Sequence, residues 1–167
     1  SELSIQAAAE RLINSEAGRA VFVSPEGDEA AAASVMVARV VSDAGLRVVF
    51  LDLTSTSAAS ASMLESARYP GITNLLASEA QFSEIIRGDL YSDCHVIPVG
   101  TSDMAKSMRA MDRLPIIMAS LTTAYDMVVV ECGPTDAHGI SRVVDKGAEG
   151  LVSVIEPDDD IAAITAF

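Results

Sequence analysis

Five short apolar runs constrain this chain more than any other feature, because each is continuous rather than alternating. They are 20–23 (AVFV), stopped by Ser24-Pro25; 47–53 (RVVFLDL), introduced by Ala44-Gly45; 95–99 (HVIPV); 126–131 (DMVVVE), stopped by Gly133-Pro134; and 150–155 (GLVSVI), stopped by Pro157. A strand with one wet face alternates apolar and polar residues, so an unbroken run marks a strand covered on both faces. Helical patterns lie between the runs, over 5–15, over the Ala- and Val-rich 29–43, over 104–124 with a kink or break at Pro115, over 137–146 and over 158–167. Asp158, Asp159 and Asp160 stand where acidic residues favour the start of that last helix. Alternating strands and helices imply right-handed crossovers and a mainly parallel sheet. The expected architecture is a three-layer αβα domain with a mainly parallel twisted sheet, one unit over all 167 residues.

Composition supports such a core and excludes several partners. Half of the residues are apolar but aromatics are scarce, so the core is built from Ala, Val, Ile, Leu and Met. The net charge is −13 and no lysine precedes Lys106. Phosphate-rich nucleic acid is repelled by such a chain, and so is an anionic membrane surface. Cys94 and Cys132 lie far apart within apolar stretches and read as small buried hydrophobes rather than a disulfide or zinc pair. No apolar run is long enough to span a bilayer. Ser1 is not a natural start residue, so a longer parent chain is expected.

Ligands of a parallel sheet sit beyond the carboxyl ends of its strands, which directs attention to the loops after Val23, Leu53, Val99 and Glu131. The loop Ser24-Pro25-Glu26-Gly27-Asp28-Glu29-Ala30-Ala31 opens an Ala-rich helix, the place where a phosphate-binding loop wraps an anion with backbone N–H groups. A working loop of that kind adds a lysine on the β- and γ-phosphates and a Ser or Thr on Mg²⁺. Neither is present, and Glu26, Asp28 and Glu29 are acidic. The loop therefore reads as an acidic helix N-terminus whose carboxylates satisfy the first N–H groups. Asp52, at a strand end, either holds a metal-bound water or caps the following turn. Glu131 ends a buried strand and needs a metal or hydrogen-bond donors to stay there. His95 starts a strand and reads as structural, while His138 lies close to the site after Pro134. Cys132 as a nucleophile would require an adjacent base.

Taken together, these segments resemble the cytoplasmic domain of bacterial tyrosine autokinases and their polysaccharide co-polymerase relatives, in the ParA/MinD-like branch of P-loop ATPases. Residues 44–52 (AGLRVVFLD) look like the family's "AGKRVLLID" approach to the second Walker motif, A′. Residues 125–134 (YDMVVVECGP) look like its "YDxVIIDTPP" Walker B strand. Residues 71–76 (GITNLL) look like "GLSDLL", and 95–100 (HVIPVG) look like "LxVLPAG". The resemblance covers nearly the whole chain and implies a P-loop NTPase fold. It places the family's Walker lysine at Ala30 and its Ser/Thr at Ala31. Thr54 stands where A′ has a second Asp, and Glu131 where Walker B has Asp. The Glu-x-x-Arg-x-x-Arg ring-assembly motif is not found in residues 1–14.

What the resemblance implies is a kinase-like domain with a degenerate phosphate loop (Ser24, Gly27, Asp28, Glu29, Ala30, Ala31), acting through protein contacts in exopolysaccharide synthesis or export. Its expected place is the cytoplasmic side of a bacterial inner membrane. Its expected partners are the membrane and periplasmic portion of the same polypeptide or a partner co-polymerase, with a homo-oligomer as a further option and no nucleic acid. No cofactor is expected. The alternatives are a Mg-ATP- or ADP-binding tyrosine kinase, or a ParA/MinD-like positioning ATPase. In the kinase, Asp52 is the catalytic base and Asp52 and Glu131 are the Mg²⁺ ligands.

Overall fold

The computed structural model describes residues 2–145, 148–155 and 162–166; side chains are described for these except Glu2, Asp28, Glu29 and everything after 150. Eight strands form one sheet in the order β1-β8-β7-β2-β6-β3-β5-β4. The apolar runs supply its centre: β2 (Arg19–Val23), β3 (Val48–Asp52), β5 (His95–Ile97), β6 (Met127–Glu131) and β7 (Ala148–Ile155). Neighbouring members of this group pair in parallel. The short strands β1 (Glu2–Leu3), β4 (Arg87–Gly88) and β8 (Ala162–Ala166) add antiparallel edges.

β2, β3, β5 and β6 each contribute side chains to both faces, which is why their sequences do not alternate. On one face, Ala20, Phe22, Val48, Phe50 and Val129 pack with α1 (Ile5–Asn14) and α2 (Ala32–Asp43). On the other, Val21, Val49, Leu51, Val128 and Val130 pack with α3 (Ile72–Leu76) and α6 (Leu114–Ala124). The result is the three-layer αβα arrangement expected from the sequence, with a mainly parallel sheet.

Three expectations are corrected. Residues 162–166, read as part of a helix over 158–167, form β8 along β7; Asp158, Asp159, Asp160 and Phe167 lie outside the described residues. The helix over 104–124 is interrupted at Ala110, giving α5 (Met104–Arg109), a 3₁₀ turn over Met111–Arg113 and then α6. Pro115 sits in the first turn of α6, where its missing N–H costs nothing, and does not cause the break. The helix over 137–146 is shorter, α7 spanning Ala137–Ser141, and Lys146 lies outside the described residues. The remaining helix, α4, covers Phe82–Ile85. Among the described residues no helix is long and apolar enough to cross a membrane.

Candidate functional site

Strand order gathers the chemistry-bearing loops at one end of the sheet. β6 lies between β2 and β3, so the loops after Val23, Asp52 and Glu131 emerge side by side at the carboxyl ends. The connection is tight: Ser24 N donates to Gly133 O at 3.1 Å, Cys132 N to Phe22 O at 2.9 Å and Leu53 N to Glu131 O at 2.9 Å.

Glu131 is fully buried at this junction. The Ser34 hydroxyl lies 3.0 Å from Oε1, and the Ser24 hydroxyl reaches both carboxylate oxygens at 3.1 and 3.2 Å. Gly133 N donates to Oε2 at 2.8 Å. Burial pushes the carboxyl up to about 7, and the neighbouring Asp52 charge adds to this. Donation from Gly133, Ser34 and Ser24 works in the opposite direction. The carboxyl thus holds its proton to higher pH than an exposed glutamate, in a site ringed by hydroxyls that can donate or accept.

Asp52 faces Glu131 in the β3–β6 register and is equally buried. Its carboxylate is enclosed by its own loop: Thr54 N at 2.9 Å and Thr54 Oγ1 at 2.7 Å on Oδ1, Ser60 N at 2.8 Å and Ser60 Oγ at 2.6 Å on Oδ2. Of the two roles the sequence left open, these bonds are those of the cap that organises a turn.

A 3₁₀ turn over Asp28–Ala31 leads from the loop after Ser24 directly into α2, which runs on from Ala32, with no side-chain cap bond at Gly27. The side chains of Asp28 and Glu29 lie outside the described residues. Gly27 takes φ 111°, a conformation that favours glycine. Glu26 is exposed. Ala30 and Ala31, the positions matched to the Walker lysine and Ser/Thr, are completely buried.

The structure thus sets Ser24 on Glu131 and Asp52 beside it in the sheet, with Gly27, Ala30 and Ala31 in the segment that leads from Ser24 into α2. It adds Ser34 and Ser60, which sequence reasoning missed. A signal for Ser34 existed, since it is one of two serines, with Ser42, among the buried Ala and Val positions of α2. His138 lies in α7, exposed, with Nε2 3.0 Å from an Arg142 guanidinium nitrogen. Burial pushes the Cys132 thiol up to about 12, and the neighbouring Glu131 charge adds to this. Among the described residues no cluster of three or more His, Cys, Asp or Glu side chains could hold a metal ion.

A mainly parallel sheet with helices on both faces and its loops converging beside β2 and β6 is an αβα arrangement, and its structural neighbours give the class: a P-loop NTPase fold. Solved structures bear this out. The BceF tyrosine kinase domain matches with TM-score 0.66 at 22% identity, over 83% of this chain and 58% of that one. The kinase domain of VpsO matches with TM-score 0.71 at 17% identity, over 90% and 76%. The septum site-determining protein MinD from Pyrococcus horikoshii, complexed with Mg-ADP, matches with TM-score 0.58 at 19% identity, over 75% and 53%. The chain therefore shares the fold of bacterial tyrosine kinase domains and MinD-like ATPases, and spans less than two thirds of the BceF and MinD chains it matches. No protein-family model and no curated protein matches it.

Proposed function

We propose that this chain is a kinase-like domain that has given up nucleotide chemistry and acts through protein contacts in exopolysaccharide synthesis or export. The setting we infer is the cytoplasmic side of a bacterial inner membrane, as part of a longer membrane-anchored polypeptide or beside a partner co-polymerase. The association with polysaccharide export rests on the motif resemblance and on the shared fold with bacterial tyrosine kinase domains.

One observation carries the loss of nucleotide chemistry. Both carboxylates that would serve Mg²⁺ are buried and taken up by protein donors, and the lysine position is a buried methyl group. A triphosphate needs an ammonium group here to offset its charge, and the chain supplies none before Lys106. The residues present do not fit Mg-ATP, so no catalytic step is assigned to them.

The test is titration calorimetry of the purified domain with Mg-ATP, alongside incubation with Mg-ATP and detection of phosphotyrosine. The proposal expects no saturable heat and no phosphotyrosine. Micromolar binding would instead favour the second reading, a nucleotide-binding domain held together by backbone N–H groups. That reading draws on the Mg-ADP complex of the MinD neighbour.

A further inference from the structure

The outer side of α6 departs from the pattern of a solvent-facing helix. Beyond Pro115 in its first turn, its exposed positions are Ile116, Ala119, Ser120, Thr123 and Ala124. Positions at this spacing lie one above another, so they form a single stripe along the helix. The stripe carries no charge, although charged residues make up 21% of the chain. The other helices of comparable length do carry charge, Glu10 and Arg11 on α1 and Arg39 and Asp43 on α2. Ile116, its one large side chain, is 72% exposed. An uncharged helix face led by an exposed isoleucine has the composition of a covered surface.

Charge and residue order name a second copy as the occupant. Two chains at −13 repel, so a contact between them needs a face free of carboxylates, which this stripe supplies. The stripe is also self-complementary. Ile116 stands toward its amino end, and the small Ser120 and Ala124 stand toward its carboxyl end, on the rim of an apolar hollow formed with Phe82, Ile86 and Leu121. An antiparallel pairing about a two-fold axis between Ala119 and Ser120 sets Ile116 of each copy against Ser120, Thr123 and Ala124 of the other. Small residues at the axis let the helices approach to about 8 Å.

The flanks of α6 fit the same pairing. Arg109 and Arg113 outnumber Asp112 before its amino end, and neither arginine meets a carboxylate among the described residues. Arg113 instead donates to the Leu75 and Leu76 carbonyls at 3.4 and 2.7 Å. Beyond the carboxyl end, Asp93 and Asp126 outnumber Arg47, which is already paired with Asp126 at 3.2 Å. Antiparallel packing brings the cationic end of each copy to the acidic end of the other, and opposed helix dipoles favour the same arrangement.

We infer that the outer face of α6 is a contact between two copies of this chain, packed antiparallel about a two-fold axis near Ala119 and Ser120. Such a pairing extends the reading of a domain that works through protein contacts. It holds whether or not nucleotide binds at the carboxyl ends of the strands, because α6 covers a face of the sheet.

One helix per copy makes a small contact, so the dissociation constant should be on the order of micromolar. Sedimentation velocity over a wide concentration range, without Mg-ATP, should show a reversible monomer–dimer equilibrium. Ile116→Glu should weaken the dimer by at least about tenfold while leaving the circular dichroism spectrum and melting temperature unchanged. Met36→Glu, at an exposed apolar position on α2, should leave the dimer intact. Ser120→Cys places a thiol beside its own mate at the axis, so mild oxidation should yield a disulfide-linked dimer; Cys94 and Cys132 are buried. Ile116→Cys mixed with Ala124→Cys should cross-link faster than either variant alone. A monomer at every concentration, wild-type dimerisation by folded Ile116→Glu, or loss of the dimer in Met36→Glu would overturn the assignment. Growth beyond the dimer would do the same, because a two-fold contact closes on itself. Failure of Ser120→Cys to cross-link, or equal rates in the mixture and the single variants, would overturn the antiparallel register.

Discussion

Ser34 Oγ lies 3.0 Å from Glu131 Oε1, one helical turn beyond Ala31, the position the resemblance gives to the Walker Ser/Thr. The hydroxyl meets a buried protein carboxylate from the helix interior, 2.8 Å from the Ala31 carbonyl oxygen. Removing it leaves Glu131 with one fewer donor in a site without solvent. Ser34→Ala should therefore destabilise the protein by about 1–3 kcal/mol at pH 8, where the carboxylate is charged, and by less at pH 5, where it is protonated. Urea unfolding at the two pH values measures the difference. Equal losses at both would separate Ser34 from the ionisation of Glu131.

The raised Glu131 carboxyl sets a direction for stability against pH. Its ordinary value is 4.5 and its folded value about 7, so between these the folded state holds a proton that the unfolded state has released. Stability then falls as pH rises through this window and levels off above it, by an amount on the order of a few kcal/mol. Glu131→Gln removes the titration. Its amide can still accept from Gly133 N and meet the two serines, so the variant should gain stability relative to wild type at pH 8 and show a flatter profile from pH 5 to 8. Parallel profiles for the two proteins would contradict the assignment.

Much of this was legible in the sequence, for reasons that are local. The five central strands are continuous apolar runs, and a run buried on both faces announces itself without reference to its neighbours. Glu131 was legible because a carboxylate at the end of such a run must be satisfied somewhere. The edges were not. Residues 162–166 (AAITA) read as helix on composition, yet they pair with β7, and pairing along a sheet overrides a weak local preference. β1 and β4 are each two residues long, too short for any periodicity. Ser34 and Ser60 escaped because they meet their carboxylates across long sequence separations or around a loop, and only the placement of α2 and the turn after β3 decides which hydroxyl arrives.

Both thiols should be inert in the folded protein. Burial pushes Cys94 and Cys132 each up to about 12, so the thiolate is scarcely populated at pH 8. Native protein mixed with Ellman's reagent should show no fast-reacting thiol, and both should react on unfolding in guanidinium. Rapid labelling of Cys132 in the native state would reopen a nucleophilic role for it.

Arg39 of α2 grips Asp89 in a forked pair, Nε to Oδ2 at 2.9 Å and NH2 to Oδ1 at 3.0 Å, and the Asp89 side chain is fully buried. Burial alone would raise the Asp89 carboxyl, but bonds from Arg39 and Ser92 outweigh it and hold the group below its usual value. The pair fastens α2 to the segment after β4, so Asp89→Ala should cost about 2–4 kcal/mol at neutral pH. Because the folded value is depressed, the pair's contribution is present above about pH 4 and disappears as pH falls further. Wild type and variant should thus converge in acid-unfolding curves below that point. A loss that persists unchanged at low pH would assign it to packing rather than to charge.

Restoring the missing lysine tests whether the phosphate loop is an open cradle or a filled one. Ala30 is completely buried, so the ammonium of Ala30→Lys either stays charged in a poorly solvated place or loses its proton. The expected result is a loss of about 2–4 kcal/mol in urea unfolding and no saturable heat with Mg-ATP. Adding Ala31→Ser should not rescue binding, because Glu131 remains occupied by Ser24, Ser34 and Gly133. Should the double variant keep wild-type stability and bind Mg-ATP, the buried methyl groups would be recent fillings of an intact nucleotide site. Protein contacts would then no longer be sufficient to account for the fold's retention.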